Sequence, residues 1–482
     1  MIEDARMFIA GRWTGAASEA TFVATSPSTG RPIARIPEGS RADAERAIRA
    51  AAEAAPHWGR ASAFERSAAL ARIARRIDER RDELARTLAL DQGKPLEAEA
   101  RAEVEELIAY VEMAAGDATR IEGLLLPSVS ATKRVLVYRV PRGVVGVISP
   151  WNWPYTMPAE IIAPALAAGD TVVWNPASTT SLCAVRLAEC IVEADLPPGV
   201  FNLVTGPGSV VGDEIAAHPL TSTIGFIGST ETGRRVAERA AGKELLLEMG
   251  GNGPLVVLDD ADVEAAVAGT LSACFLNAGQ SCTAGERILV AEPVHDSYLA
   301  ALEAAIDREV RLGDPFDPAT TMGPLNNEPT VAKTERHVAD AVERGARLVR
   351  GGRRAPECGS PLFYEPTVLD GVDEAMAVAR EETFGPVVPI TTIGGLDDAL
   401  AAIERSPYGL LAAVYTRDLE RGLRFAEAAR TGWVNVNEGT NYWESHLPFG
   451  GRAGTGSGVG RVGGRFPIER LTELKTVVLN LG

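Results

Sequence analysis

The chain has 482 residues, too many for one ordinary hydrophobic core, so two or three domains are expected. It is 46% hydrophobic and 23% charged with a net charge of -17, which suits a folded globular protein and argues against nucleic acid or an anionic membrane as partner. No apolar run is long enough to span a bilayer, Met1-Ile2-Glu3-Asp4-Ala5-Arg6 lacks the apolar core of a secretory signal, and five scattered cysteines fit a reducing cytoplasm.

Residues 41–116 repeat Ala, Leu, Ile and Arg at helical spacing, with Ser40 placed to cap the first helix. At 121–140 the pattern changes to two strands, Leu124-Leu125-Leu126 and Arg134 to Val140, around Pro127 and Ser128. A βα rhythm follows. Val144 to Ile148 is a short apolar strand with a helix near 158–168, and Thr171 to Trp174 is another with a helix near 180–194. Val200 to Val204 and Ser222 to Phe226 continue the series. Continuous apolar strands alternating with helices predict an α/β fold, a parallel sheet covered on both faces. A second series starts near Leu255-Val256-Val257-Leu258 and passes 430, before a Gly-rich stretch at 450–464 and a final strand near Thr476 to Leu479.

Two segments carry chemistry. Cys282, in Gly279-Gln280-Ser281-Cys282, is a soft nucleophile among small residues, and Glu248 stands just before Gly250-Gly251, where backbone can approach a ligand closely. A thiol and a carboxylate on separate segments suit covalent catalysis followed by base-assisted hydrolysis. Cys183 and Cys190 on one helix face, and Cys274 in an apolar helix, read as core. Asn152, in Pro150-Trp151-Asn152-Trp153-Pro154, ends the strand 144–148, and its amide is the kind of donor that stabilises an oxyanion. A turn Asn between packed tryptophans has the same signature. Gly206-x-Gly208 and Gly228-Ser229-Thr230-Glu231-Thr232-Gly233 both follow a strand and open a helix, a context that can hold a pyrophosphate or simply cap the helix. Arg234-Arg235 exclude a P-loop, and the absence of Cys-x-x-Cys and His-Glu-x-x-His leaves no metal site.

Taken in order, these strings resemble the aldehyde dehydrogenase superfamily from Phe8-Ile9-Ala10-Gly11-Arg12-Trp13 to Thr472-Glu473-Leu474-Lys475-Thr476-Val477, with Glu381-Glu382-Thr383-Phe384-Gly385-Pro386 and Pro448-Phe449-Gly450-Gly451 completing the motif set. The resemblance implies oxidation of a small-molecule aldehyde to an acid with NAD or NADP, through a cysteine thiohemiacetal and a thioester. Cys282 would be the nucleophile, Glu248 the general base, and Asn152 with the Cys282 backbone N–H the oxyanion hole. The cofactor-facing set would be Trp151, Asn175, Ser178, Gly208, Phe226, Ser229, Gly250, Glu382 and Phe384. Trp153, Met157, Glu160, Tyr442, Trp443 and Phe449 would line the substrate tunnel, its aromatics suiting an apolar or aromatic aldehyde and Glu160 a cationic amino-aldehyde. The implied architecture is a Rossmann-like cofactor domain (1–120 and 141–247), an α/β catalytic domain (248–440), and a small β bridging element (121–140 and 462–482) that joins subunits into a homodimer or homotetramer. A hairpin like 121–140 is marginal alone and wants a partner.

The chain departs from the family pattern at three places. Asn175 replaces the usual Lys and Ser178 a frequent Glu, both servants of the adenosine ribose, so their loss pulls cofactor choice in opposite directions. Ile161 replaces a Lys that usually partners a proton-relay carboxylate, matched here by Glu473. A CoA-acylating enzyme of the same fold typically lacks the Glu248 carboxylate, a catalytically silent scaffold has no need of Cys282, Glu248 and Asn152 together, and a papain-like hydrolase needs a His partner that no motif supplies.

Overall fold

Ser40 does cap the first helix. Its side chain accepts from the Asp43 N–H at 3.3 Å while Asp43 accepts from the Ser40 N–H at 3.0 Å. The helical region beyond it is four α-helices, Arg41–Trp58, Ala63–Glu79, Arg81–Asp91 and Arg101–Asp117, with a π turn at Leu96–Ala100. Ser62 starts the second helix with its own capping box to Glu65, and the Gly93-Lys94-Pro95 break ends the third. The structure, a computed structural model, describes residues 2–482.

The βα rhythm builds two sheets. In the first, the five strands Glu244–Glu248, Thr223–Ile227, Val144–Ile148, Thr171–Asn175 and Phe201–Leu203 run parallel in that spatial order. Antiparallel strands Met7–Ile9 and Arg12–Thr14 extend one edge, and Gly458–Val459 closes the other. Glu244–Glu248 is a strand that apolar periodicity does not single out, because its two glutamates flank only three leucines. The second sheet orders Arg347–Arg350, Thr367–Asp370, Val387–Ile393, Gly285–Ala291, Gly253–Val257, Leu411–Tyr415 and Trp433–Val436, with only the first strand antiparallel.

The hairpin Leu124–Leu126 and Lys133–Pro141 finds its partner within the chain. Strand Thr472–Asn480 pairs antiparallel with Lys133–Pro141 along its full length. This three-stranded sheet stays outside both cores, with Leu124, Leu125, Leu474 and Val478 all more than half exposed.

Candidate active site

Cys282 sits at the end of a backbone path that side chains rarely adopt. Asn277, Ala278 and Gly279 follow the helix Val263–Phe275 and are all left-handed, with φ of 51°, 54° and 74°. Two non-glycine residues there cost about 1–3 kcal/mol each. The surrounding protein offsets this. The Asn277 N–H donates to both Glu99 carboxylate oxygens at 3.0 and 3.1 Å, and Gln92 Nε2 donates to Asn277 Oδ1 at 2.9 Å. Gln280 ties the turn further, donating to the Asn277 carbonyl at 2.8 Å and accepting from the Asn326 N–H at 2.8 Å. At Gly279 only glycine fits, since a Cβ would stand 2.2 Å from the Gly385 carbonyl oxygen. Gly251 explains the glycine pair after Glu248, for a Cβ there would stand 2.4 Å from the Cys282 carbonyl oxygen.

Glu248 is the last residue of its strand and faces Cys282 across this contact. It is buried, and its Oε1 has no hydrogen-bond partner among the described residues. Burial pushes its carboxyl up to about 8, and the Glu382 charge adds to the rise. The Cys282 thiol is pushed well above its ordinary value, first by burial and then by the carboxyls of Glu248, Glu382 and Glu160. Burial thus disfavours the charged form of both the Cys282 thiol and the Glu248 carboxyl beside it. Asn152 is also buried, with one amide N–H donated to the Gln280 carbonyl at 3.1 Å and its own carbonyl accepting from Asn277 Nδ2 at 3.0 Å. The same network that holds the cysteine turn therefore holds Asn152. The Cys282 backbone N–H has no acceptor among the described residues.

Two cavities meet at this point, sharing Cys282, Glu248, Met157 and Ile227. The first, about 330 Å³, lies outside the carboxyl ends of the first sheet's strands, where α/β proteins bind ligands. Trp151, Ser229, Gly250, Glu382 and Phe384 line it, and the Trp151 and Phe384 rings meet edge to face at 5.5 Å. Ser229 caps the helix Thr230–Arg239, leaving the helix N-terminus open to this side. Glu382 accepts from the Gly251 N–H at 2.9 Å, and its carboxyl is raised by burial. Phe384 has a positive φ of 63°, a strained conformation secured by Glu286, which accepts from the Thr383 and Phe384 N–H groups at 2.5 and 2.7 Å. Lys333, on the helix Glu328–Glu343, lines the same cleft as Glu382 and lowers its carboxyl pKa, countering the rise from burial.

Four residues of the expected cofactor set do not line this cleft. Phe226 is a core side chain beneath the Gly228 turn and does not line the cleft, because its strand is buried on both faces. Asn175 is buried with its amide already engaged, donating to the Val204 and Gly206 carbonyls at 3.0 and 3.2 Å, so it braces the loop and offers no free N–H to a ribose. Ser178 is half-buried across from Gly206, whose carbonyl accepts from its hydroxyl at 3.4 Å, and Gly208 is exposed at the start of the turn Gly208–Gly212.

The second cavity, about 520 Å³, is lined by all six expected tunnel residues, Trp153, Met157, Glu160, Tyr442, Trp443 and Phe449. Trp443 stacks on Trp433 at 5.6 Å and meets Phe449 edge to face at 4.6 Å, while its indole N–H donates to the Tyr110 hydroxyl at 2.7 Å. Tyr442 is half-exposed at the outer end. Lys94, Glu99, Glu103, Glu106 and Glu438 also line the cavity and were not legible as site residues, because each looks like a solvated helix or loop charge in isolation. Glu473 does not join the site. It lies on the outer strand with its side chain 57% exposed, 3.8 Å from Arg142, and lines neither cavity. Ile161, where a relay lysine was the alternative, is buried against Gly225 in the sheet.

Known proteins share both the sequence and the arrangement. The model of the aldehyde dehydrogenase family matches residues 13–477. The chain is 41% identical to 3-sulfolactaldehyde dehydrogenase of Pseudomonas putida, over 98% of this chain and 96% of that protein. It is 40% identical to the NADP-dependent succinate-semialdehyde dehydrogenase of Escherichia coli, over 98% and 97%. A crystal structure of succinate-semialdehyde dehydrogenase from Burkholderia pseudomallei superposes with a TM-score of 0.96 at 38% identity, covering 99% of this chain and 98% of that one. The chain belongs to the aldehyde dehydrogenase family, and it is an enzyme that oxidises an aldehyde to the carboxylic acid with NAD or NADP.

Proposed function

We propose that Cys282 is the nucleophile, Glu248 the base, and Asn152 with the Cys282 N–H the oxyanion hole of this oxidation. The observation that carries the assignment is the meeting of two cavities at Cys282 and Glu248 alone among the ionisable residues. Cys282 Sγ attacks the aldehyde carbon and its proton passes to Glu248. The new oxyanion accepts hydrogen bonds from the free N–H of Asn152 and the Cys282 N–H. When bound, the oxidised cofactor supplies the hydride acceptor. Loss of hydride from the substrate carbon leaves a thioester on Cys282. Glu248, its proton released, then takes one from water, hydroxide adds to the thioester, and the C–S bond breaks to free the acid.

The cleft fits a nicotinamide. It is walled by Trp151 and Phe384, and it offers Glu382 as a hydrogen-bond acceptor and Ser229 at a helix N-terminus. Asn152→Ala tests the oxyanion assignment. Loss of one such donor is expected to slow single-turnover hydride transfer by about two to three decades. A change below about threefold would make Asn152 a purely structural residue of the cysteine turn.

Ser178 is the residue we assign to cofactor choice, because it stands opposite the Gly206 turn with no carboxylate to repel a 2'-phosphate. Ser178→Glu is expected to raise the ratio of kcat/KM for NAD over NADP by roughly tenfold, the equivalent of ~1.4 kcal/mol. An unchanged ratio would place the adenosine ribose elsewhere.

We assign 1–120 with 141–247 to a cofactor-binding domain and 248–440 to a catalytic domain, a division supported by the two separate sheets. The exposed apolar face of the three-stranded sheet supports subunit association through 121–140 and 462–482. No helix among the described residues is long and apolar enough to cross a membrane, and the cysteine usage supports a cytoplasmic location.

A further inference from the structure

The titratable side chains lining the tunnel to Cys282 are mostly acidic. Six glutamates line it, counting Glu248, against a single cation, Lys94, and no arginine. Lys94 is already neutralised. Its Nζ is 2.5 Å from Glu103, both side chains are 1% exposed, and it sits 3.7 Å over the Trp153 ring. Glu99 is engaged by the Asn277 N–H. Glu106, Glu160 and Glu438 line the same cavity and form no salt bridge among the described residues, although the Lys94 charge does lower the Glu106 carboxyl pKa. Glu160 is only 8% exposed and shares its space with Glu106 and Glu248. Trp153 and Trp443 supply aromatic surface in the same cavity, and Tyr442 stands at its outer end.

We propose that this tunnel selects aldehydes that carry an ammonium group, seated between the aromatic side chains and the carboxyls of Glu106 and Glu160. The proposal rests on the reading of Cys282 as the reacting residue, which fixes the end where the aldehyde sits. A cation is attracted to aromatic faces, and a partly desolvated carboxylate strengthens that attraction. An aldehyde with a remote carboxylate or sulfonate meets the opposite field, with only a paired lysine to receive it. Crowding supports the same conclusion. Burial, then the Glu103 charge, pushes Glu106 up to about 7, while burial, then the Glu106 and Glu248 charges, holds Glu160 well above the carboxylate range, and a cation seated beside them relieves both costs.

The test uses three probes on the full-length enzyme: trimethylammonioacetaldehyde, its neutral isostere 3,3-dimethylbutanal, and succinate semialdehyde, with the first two also extended by two methylenes. The cationic member of a pair is expected to exceed its neutral isostere in kcat/KM by about tenfold or more, and the anion to be the poorest substrate. In Glu160→Gln, and further in the double variant with Glu106→Gln, the cation-to-neutral ratio is expected to fall toward one. Equal use of cation and isostere by the wild type, preference for the anion, or a ratio untouched by both variants would overturn the proposal. If no probe, the neutral one included, reduces either cofactor, the assignment of the reacting residues fails first. Oxidation of the neutral aldehyde without charge preference overturns only the substrate class.

Discussion

Replacement of Cys282 by alanine is expected to remove aldehyde oxidation altogether while dinucleotide binding persists. In the proposed mechanism the thiol supplies the atom that bonds to the substrate, and no other cysteine lines either cavity among the described residues. Cys274, the nearest cysteine in sequence, is fully buried in the second sheet's core. The cofactor cleft is built from Trp151, Ser229, Glu382 and Phe384 on other segments, so its affinity should survive. Absorbance of reduced cofactor measures the first effect and fluorescence titration the second. Turnover near wild type would refute the nucleophile assignment. Loss of both turnover and cofactor binding would instead indicate that the strained turn at 277–279 collapses when Cys282 is changed.

Glu248→Gln separates the two halves of the reaction. The amide fills the same space and cannot accept a proton from water, so deacylation should fall by about two to four decades, the range of general-base contributions. Rapid mixing should then show a burst of reduced cofactor followed by slow turnover. The wild-type pH profile provides an independent check. The Glu248 carboxyl titrates up to about 8, so the fraction able to act as base is small at acidic pH and grows as pH rises through that value. Steady-state kcat should climb across this window, and the climb should vanish in the Gln variant. A profile that is unchanged by the substitution would assign the titration to another group, and an unaltered steady state would remove Glu248 from the reaction.

Much of the proposed site is legible in the sequence because its motifs are short and local. Cys282 and Glu248 each stand in a short glycine-containing string, and those glycines have a steric cause at 251 and 279. Asn152 was legible because it follows an apolar strand, and loops at the carboxyl ends of parallel strands bind ligands. The residues that hold this machinery in place were not legible. Gln92 and Glu99 lie far along the chain from Asn277, and Glu286 far from Phe384, yet each is tied to its partner by a long-range hydrogen bond. A buried carboxylate that pins backbone N–H groups has the same spacing on a helix or strand as a solvated one. Phe226 and Asn175 show the reverse case, for neither lines the cleft. Their motif context pointed to the cofactor, yet burial on both faces of a parallel strand turned one into core and the other into a loop brace.

Local sequence pattern was enough for the α/β class, the two βα series and the capped helix at Ser40. All of these depend on residues close together along the chain, where periodicity and turn chemistry act. Only the packing of distant segments decided that Glu473 stands outside both cavities, that Lys333 lines the smaller one while Glu286 pins the Thr383 and Phe384 N–H groups beside it, and that Glu106 and Glu438 join Glu160 in the larger one. Those outcomes turn on which face of each helix and strand is buried and what it meets there. The charge of the tunnel is a sum over segments from 94 to 438, and only their packing around one cavity brings that sum to bear on a substrate.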